Sequence, residues 1–473
     1  MKSKIKNICC IGAGYVGGPT MAVIAYKCKN IIVNVVDSNK SRIDSWNDND
    51  LKKLPIYEPG LDKIISETRN KNLFFSTSIE KNISNADLIF ISVNTPTKNK
   101  GLGAGKASDL KWVELCARQV AKSSTGHTIV VEKSTLPVRT AEVIQKILYK
   151  SQDEFSKTAT SKTFDILSNP EFLSEGTAIK DLLEPDRVLI GGNNKEPINQ
   201  LSEIYENWVP KNKILLTNVW SSELAKLAAN AFLVQRISSI NSISAICEKT
   251  GADIQQVSNA IGTDCRIGTK FLKSGPGFGG SCFKKDILNL VYLSEYFGLP
   301  EVSQYWMGVV NINNWQRRRI FELVVTKLFG TITGKKIGIL GFSFKSNTND
   351  TRESSAIQIC EELLNEGSNL IIYDPKVTKE QIEKDLSFKC ENFDANIHSE
   401  GNSFVVVNNI YDVFNQTDCI VVMTEWNDFS EIDWDIASKK MRKPGWVFDT
   451  RNIIDHAKVK ESGLNSWSLG QNY

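Results

Sequence analysis

Histidine is nearly absent from this chain. Three occur in 473 residues, His127, His398 and His456, so chemistry resting on an imidazole base is disfavoured. Long apolar runs are missing too. Nothing approaches the roughly 20 apolar residues of a membrane-spanning helix, and no membrane partner is expected. Ten cysteines are scattered along the chain. No CxxC pair occurs and only Cys9 and Cys10 adjoin, a pattern of reduced thiols in the cytoplasm rather than of disulfides or a zinc site; no metal is expected. The net charge is only +3, too small to suggest nucleic acid or an anionic surface as partner. Repeats, low-complexity tracts and proline-rich linkers are absent as well. Met1-Lys-Ser-Lys-Ile-Lys before an apolar stretch imitates a secretory leader, but Gly12, Gly14, Gly17 and Gly18 interrupt that stretch, and a leader is not expected.

What remains is ordinary for a soluble globular protein: 41% hydrophobic and 23% charged residues. At roughly 150 residues per domain, about three domains are expected. Lys6-Asn-Ile-Cys-Cys-Ile11 reads as a strand, and Gly12-Ala-Gly-Tyr-Val-Gly17 follows at once. Residues 21–26 read as a helix and 31–36 as a second strand, ending at Asp37. Strand-like runs recur at 88–92, 128–131 and 164–167 with helical patterns between them. Such alternation predicts a mostly parallel sheet covered on both faces. From 221 to 248 there is no Pro and no Gly, and Leu224, Leu227, Ala231 and Val234 recur at helical spacing until Gly251. Helix continues after a glycine-rich loop to about Leu328. A second strand-rich region begins at Lys335-Lys-Ile-Gly-Ile-Leu-Gly341, with further strands at 370–374, 419–423 and 446–449. The expected class is α/β: two Rossmann-like doubly wound parallel-sheet domains, 1–216 and 329–473, joined by an all-helical domain, 217–328, with a long helix.

Gly12-x-Gly14-x-x-Gly17 after a strand, opening a helix, with Asp37 ending the next strand, is the context of a dinucleotide site. The glycines allow the turn, the approach of a pyrophosphate to backbone N–H groups, and close packing of the helix. Asp37 would take the ribose hydroxyls and repel a 2′-phosphate, which favours NAD over NADP; Arg42 nearby weakens that preference. A glycine turn serving packing alone is the competing reading. The second unit carries Gly338-x-x-Gly341-x-x-Phe344, with a bulky residue in the third position and Lys345 and Arg352 behind it. A smaller phosphate ligand held by Lys and Arg fits this better than a second dinucleotide, against the alternative of solvated surface charge.

Ser274-Gly-Pro-Gly-Phe-Gly-Gly-Ser-Cys282 strips a loop of side chains just before Cys282, so a bulky ligand can reach its backbone. Lys284, Lys285 or a helix N-terminus could lower the thiol's pKa. Glu223, Lys226 and Asn230 share one helix face. Asn169-Pro-Glu-Phe-Leu-Ser-Glu175 puts two carboxylates beyond a strand, where sheets of this class bind ligands; the competing reading has Glu171 and Glu175 complementing a helix N-terminus. A dinucleotide fold with a cysteine nucleophile and no histidine base suggests a two-step oxidation. An alcohol becomes an aldehyde, a thiolate captures it, and a second oxidation gives a thioester that water cleaves to an acid. A lysine and an asparagine would hold the oxyanion, and a carboxylate would direct the water.

These stretches, with Phe90-Ile-Ser-Val-Asn-Thr-Pro-Thr97, Glu132-Lys-Ser-Thr135 and Asp350-Thr-Arg-Glu-Ser354, make the chain resemble the UDP-glucose/GDP-mannose dehydrogenase family, in its animal-type branch. The resemblance runs to about Asn452. It implies oxidation of UDP-glucose to UDP-glucuronate with NAD, by way of a thiohemiacetal and a thioester. It implies Cys282 as nucleophile, Lys226, Asn230 and Asp286 as the groups that hold oxyanion and water, Glu171 as acid–base residue and Thr135 as a water-holding hydroxyl. NAD would meet Gly12, Ala13, Gly14, Tyr15, Val16, Gly17, Asp37, Arg42, Thr95, Pro96, Thr97, Ser134, Thr135, Glu175 and Arg352. The sugar nucleotide would meet Glu171, Phe172, Leu173, Glu175, Lys226, Asn230, Arg266, Phe271, Phe278, Gly279, Phe344, Lys345 and Arg451. By the same resemblance the first domain binds NAD, the last binds the UDP-sugar, and the helical middle makes a dimer, with trimers of dimers a further possibility. Pro276 and the Asn that follows Arg451 depart from the animal pattern, and the chain stops without a long polar tail. Three other readings compete: the same chemistry on another UDP-sugar such as an N-acetyl-hexosamine, a single-step hydroxy-acid dehydrogenase using Lys226, and a non-catalytic UDP-sugar or NAD sensor.

Overall fold

The computed structural model describes residues 5–155, 162–391 and 401–471; His398 and the first four residues of the leader-like stretch lie outside them. The chain forms two compact units. One comprises Met1–Ala229 with Leu288–Phe297, the other Asn230–Ile287 with Gly298–Tyr473.

The first unit is built on an eight-stranded sheet: β1 (Asn7–Ile11), β2 (Ile32–Val36), β3 (Leu73–Ser76), β4 (Leu88–Ile91), β5 (His127–Glu132), β6 (Thr163–Ser168), β7 (Val188–Gly191) and β8 (Ile214–Thr217), in the order β3-β2-β1-β4-β5-β6-β7-β8. Every pairing is parallel except β6 with β7, which meet antiparallel through Ser168 and Gly191. Successive residues of β1 feed opposite cores. Ile8 and Cys10 join one cluster with Met21, Ile24 and Trp46, whereas Cys9 and Ile11 join another with Val120 and Ile144. Both faces are therefore covered, which is why these strands read as continuous apolar runs. β4 is wholly buried, and each of its four side chains contributes about 1.5–3 kcal/mol by leaving water. β1 sits between β2 and β4, so the chain's winding reverses there and opens a crevice at the carboxyl ends of these strands.

The second unit carries a seven-stranded parallel sheet: β9 (Lys336–Leu340), β10 (Asn369–Tyr373), β11 (Lys389–Cys390), β12 (Ser403–Val406), β13 (Cys419–Val422), β14 (Trp446–Asp449) and β15 (Asn465–Ser468), ordered β11-β12-β10-β9-β13-β14-β15. Its reversal point is β9. The helix Pro300–Lys327 packs Ile320 and Val324 against Ile337, Ile339 and Ile359.

The α/β class with two parallel sheets and a helical stretch between them agrees with the sequence reading. The long helix expected over 221–248 spans Val219–Thr250 and stops at Gly251, whose φ is +79°. The strands that sequence reading passed over, β3, β7, β8, β11, β12 and β15, have at most four residues each. A run that short carries too little periodicity to be told from a loop or a helix fragment. Among the described residues no helix is long and apolar enough to cross a membrane.

Candidate active site

The crevice above β1 is shaped by its turn. Gly12 has φ +112°, and a Cβ there would stand 2.2 Å from the Ser92 carbonyl oxygen. Only glycine fits, because the turn is both left-handed and pressed against the end of β4. Above Gly14 the space is open. No side chain caps the helix Gly17–Lys27, so its N-terminus faces that space with its positive end exposed to a phosphate. The Asp37 carboxylate accepts the Ala13 N–H at 3.0 Å and the Asn39 N–H at 2.9 Å. Arg42 donates to the same carboxylate at 2.9 Å. Arg42 is thus tied to Asp37 rather than held out for a 2′-phosphate. The Tyr15 hydroxyl bonds Glu58, a buried carboxylate that also accepts the Ala178 N–H at 3.0 Å. Burial, and then Glu58, push the Tyr15 phenol far up, so it stays a neutral donor. The loops after β4 and β5 are laced together. Thr95 Oγ1 donates to the Thr135 carbonyl at 3.0 Å, Ser134 Oγ to the Val93 carbonyl at 2.6 Å, and the Pro96 carbonyl accepts the Asp109 N–H at 2.7 Å. Thr97 pairs with Ser108 beside them.

Past the end of β6, Glu171 and Lys226 form a buried ion pair, with Nζ–Oε1 at 3.6 Å and both side chains 5% exposed. The other oxygen of Glu171 is buried without a hydrogen-bond partner. Burying an ion pair whose remaining lone pairs go unmet is expensive, a cost typical of sites kept for a ligand. The Lys226 ammonium also lies 5.3 Å from the centre of the Phe172 ring, whose face Arg187 covers at 3.7 Å. Leu173 and Glu175 follow, half-buried. The helix after this loop starts only at Ala178, so Glu171 is no helix-end charge and that competing reading fails. Glu223 has a different task from its helix neighbours: it accepts the N–H groups of Arg139 at 2.7 Å and Ala141 at 2.9 Å and anchors the start of the helix Thr140–Phe155. Burial, then the charge of Glu223, push the Glu132 carboxyl well above its usual range.

In the second unit the glycine loop is braced from behind. Asn241 accepts the Gly275 N–H at 2.9 Å, and Gln316 donates to the Gly275 carbonyl at 3.0 Å. Asn313 accepts the Phe278 N–H at 2.8 Å, and Arg317 donates to the Phe278 carbonyl at 2.7 Å. Gly277 has φ +128°, and a Cβ there would meet Asn313 Oδ1 at 2.8 Å. Gly279 passes so close to the chain at Glu353 that a Cβ would lie 2.6 Å from that carbonyl oxygen. Half-buried Cys282 ends the loop immediately before the helix Phe283–Tyr296. That is where a helix dipole favours a thiolate, and Ser281 Oγ lies 3.4 Å from its sulfur. One turn on, buried Asp286 accepts from Asn230 Nδ2 at 2.6 Å and from Lys285 Nζ at 2.9 Å. Phe271, at φ +62°, stands edge-on to Phe283, which is itself edge-on to Phe278, both at 6.4 Å.

Three stretches of the chain match domains of one family of enzymes. Residues 6–209 match the NAD binding domain of the UDP-glucose/GDP-mannose dehydrogenase family, 220–315 its central domain and 338–456 its UDP binding domain. UDP-glucose 6-dehydrogenase 1 of Glycine max is 54% identical over 477 residues, covering 98% of this chain and 97% of that protein. The chain belongs to the UDP-glucose/GDP-mannose dehydrogenase family. UDP-glucose 6-dehydrogenase of Mus musculus is 53% identical over 474 residues, with 99% of this chain and 94% of that protein covered. A solved UDP-glucose dehydrogenase from the hyperthermophilic archaeon Pyrobaculum islandicum is 27% identical, with 99% of both chains covered and a TM-score of 0.83. As a member of this dehydrogenase family the chain takes NAD, and the turn, the open space above Gly14 and Asp37 fit that cofactor.

Family membership sharpens the reading of the remaining residues. Arg451 donates to the Phe344 carbonyl at 3.0 Å and to the Met423 carbonyl at 2.8 Å, and pairs with Glu425 at 3.1 Å. Lys345 lies over the Phe344 ring at 5.5 Å. Arg352 is bonded to Asp350, two residues before it, and its carbonyl accepts the Gly280 N–H at 2.8 Å. The Arg266 side chain is 85% exposed and bonded to Asp264. Burial pushes Cys9 and Cys116 up to about 12 and raises Cys10 and Cys419 well above the ordinary thiol range, which makes those thiols inert. His127 sits at the surface at the start of β5, the end of the sheet away from the crevice. Sequence reasoning missed Glu58, Lys133, Asn241, Asn313, Gln316 and Arg317. Only burial marks them, since nothing in their spacing sets them apart.

Proposed function

We propose that this dehydrogenase oxidises the C6 alcohol of UDP-glucose to a carboxylate, giving UDP-glucuronate. The observation that carries this reading is the braced glycine loop that leads Cys282 to a helix N-terminus, one turn from the Asn230–Asp286 pair. NAD, when bound, supplies the hydride acceptor in each of two rounds. In the first, the alcohol loses a hydride and a proton and becomes an aldehyde. The Cys282 thiolate adds to the aldehyde carbon, and the carbonyl oxygen becomes an oxyanion. Lys226 and Asn230, four residues apart on the helix Val219–Thr250, supply an ammonium and an amide as donors to that oxygen. The thiohemiacetal loses a second hydride and a proton to give a thioester. Water then adds, the C–S bond breaks, and the thiolate leaves. Glu171 serves as the acid–base group, and Asp286 and Thr135 hold the water. Arg451, Lys345 and Phe344 serve the UDP moiety.

A substrate panel followed by NADH formation tests this. Two NADH per UDP-glucose is the expected yield; absence of turnover on UDP-glucose refutes the assignment. Cys282→Ser should stall as an ester, because an alkoxide leaves less readily than a thiolate. Mass spectrometry of that variant after turnover should find the sugar nucleotide attached, and an unmodified chain counts against covalent catalysis. We also infer a homodimer through the helix Val219–Thr250. Trp220, Leu224, Phe232 and Ile246 are 45%, 44%, 62% and 56% exposed on it, and an apolar stripe of this kind suits a partner surface; sedimentation of a monomer would overturn it. Ten thiols without a disulfide among the described residues suit the cytoplasm.

A further inference from the structure

Lys133 is a buried cation to which the proposed reaction gives no task. It follows β5 directly and is 3% exposed. Its ammonium donates to Asn169 Oδ1 at 3.1 Å and to the Tyr205 hydroxyl at 3.4 Å. The Tyr205 hydroxyl donates in turn to Asn169 Oδ1 at 2.6 Å, and Asn169 Nδ2 donates to the Leu189 carbonyl at 2.8 Å. The Asn169 amide is therefore held from three sides. Pro170, with its restricted φ, connects it to Glu171, so fixing Asn169 fixes the direction in which Glu171 leaves the strand.

The charges point the same way. Desolvation lowers Lys133 to about 8, Glu171 holds it up, Lys226 works against it, and Cys10 is a weaker influence. Burial pushes both the Cys10 thiol and the Tyr205 phenol up, so both are neutral near pH 7. What faces Lys133 is one carboxylate, a second ammonium and two neutral groups. The cluster thus holds two cations against one anion at the point where the reaction builds negative charge.

We propose that Lys133 is a positioning residue for Glu171 and Lys226: it fixes the Asn169-Pro170-Glu171 turn and adds a second positive charge beside the Glu171–Lys226 pair. This rests on the assignment of Glu171 as the acid–base group. The alternative is that Lys133 merely fills space with a satisfied donor.

The test is the pH dependence of UDP-glucose oxidation by the full chain, with NADH followed for the native protein, Lys133→Met and Lys133→Gln. The NADH yield of the native chain judges the reaction itself separately. In Lys133→Met, kcat near neutrality should fall about tenfold or more, with KM for UDP-glucose within about twofold, and the acidic limb of the profile should move up by about one unit. Lys133→Gln, which retains a donor for Asn169, should show the same moved limb but recover near-native kcat above it. Native affinity for NAD, by calorimetry, checks that each variant is folded; should Lys133→Met fail that check, Lys133→Gln decides. Acidic limbs that coincide with the native one in the folded variants, whatever their kcat, overturn the proposal.

Discussion

Replacing Lys133 by methionine should make the protein more stable at neutral pH, although it makes the enzyme slower. Burial lowers the pKa of this ammonium from 10.5 to about 8. The unfolded chain therefore binds more protons than the folded one between about pH 8 and 10.5, and stability contributed by this group rises with pH across that window. Below it the penalty is present in full, about 3 kcal/mol at 1.36 kcal/mol per unit. Methionine has similar length and no charge, so it removes the penalty at every pH. It also removes a donor to Asn169, worth about 1 kcal/mol, but Tyr205 keeps that oxygen satisfied. The net gain is about 2 kcal/mol at pH 7, shrinking to near zero by about pH 9.5. Urea unfolding at several pH values, with unchanged m, reads the difference. A variant less stable than the native chain at pH 7, or a gain that does not shrink as pH rises, would refute the reasoning.

Three further outcomes are expected. Gly12→Ala forces a left-handed residue into the Ser92 carbonyl and should weaken NAD binding at least about tenfold, at about 1–3 kcal/mol of strain; an unchanged Kd by calorimetry refutes the cradle. Asp37→Ser removes a charged acceptor and frees Arg42, so NAD should weaken by about tenfold while NADP tightens; NADP binding that stays the same or weakens counts against this role for the pair. Asn313→Ala leaves the Phe278 N–H without its acceptor, a loss of about 1–3 kcal/mol. It should lower the yield of ester adduct in a Cys282→Ser background while leaving NAD affinity unchanged, and a native adduct yield would show that the brace is dispensable.

Much of this molecule was legible because its signals are local. The Gly12 turn, the strands around it and Asp37 lie within one strand–helix–strand unit, and each constrains its neighbours in sequence. The helix Val219–Thr250 announces itself by period and by the absence of Pro and Gly. The Cys282 loop stands out by composition. The strands β3, β7, β8, β11, β12 and β15 did not stand out, and neither did Lys133 or Asn313. A charged or amide residue beside an apolar run looks the same whether it faces water or a buried partner. Glu171 and Glu175 show the limit well: as letters they fit a helix end, and only the late start of the helix at Ala178 and the ion pair with Lys226 exclude that for Glu171.

Amino-acid order by itself determined the α/β class, the dinucleotide turn with its acidic partner, and the identity of the nucleophile candidate. These depend on spacings shorter than a supersecondary unit, where covalent geometry restricts the outcome. Tertiary structure alone decided which polar groups lose water and whom they meet. Asn230 finds Asp286 across 56 residues and Phe278 finds Asn313 across 35. Desolvation depends on everything packed around a group, and no window of sequence contains that information.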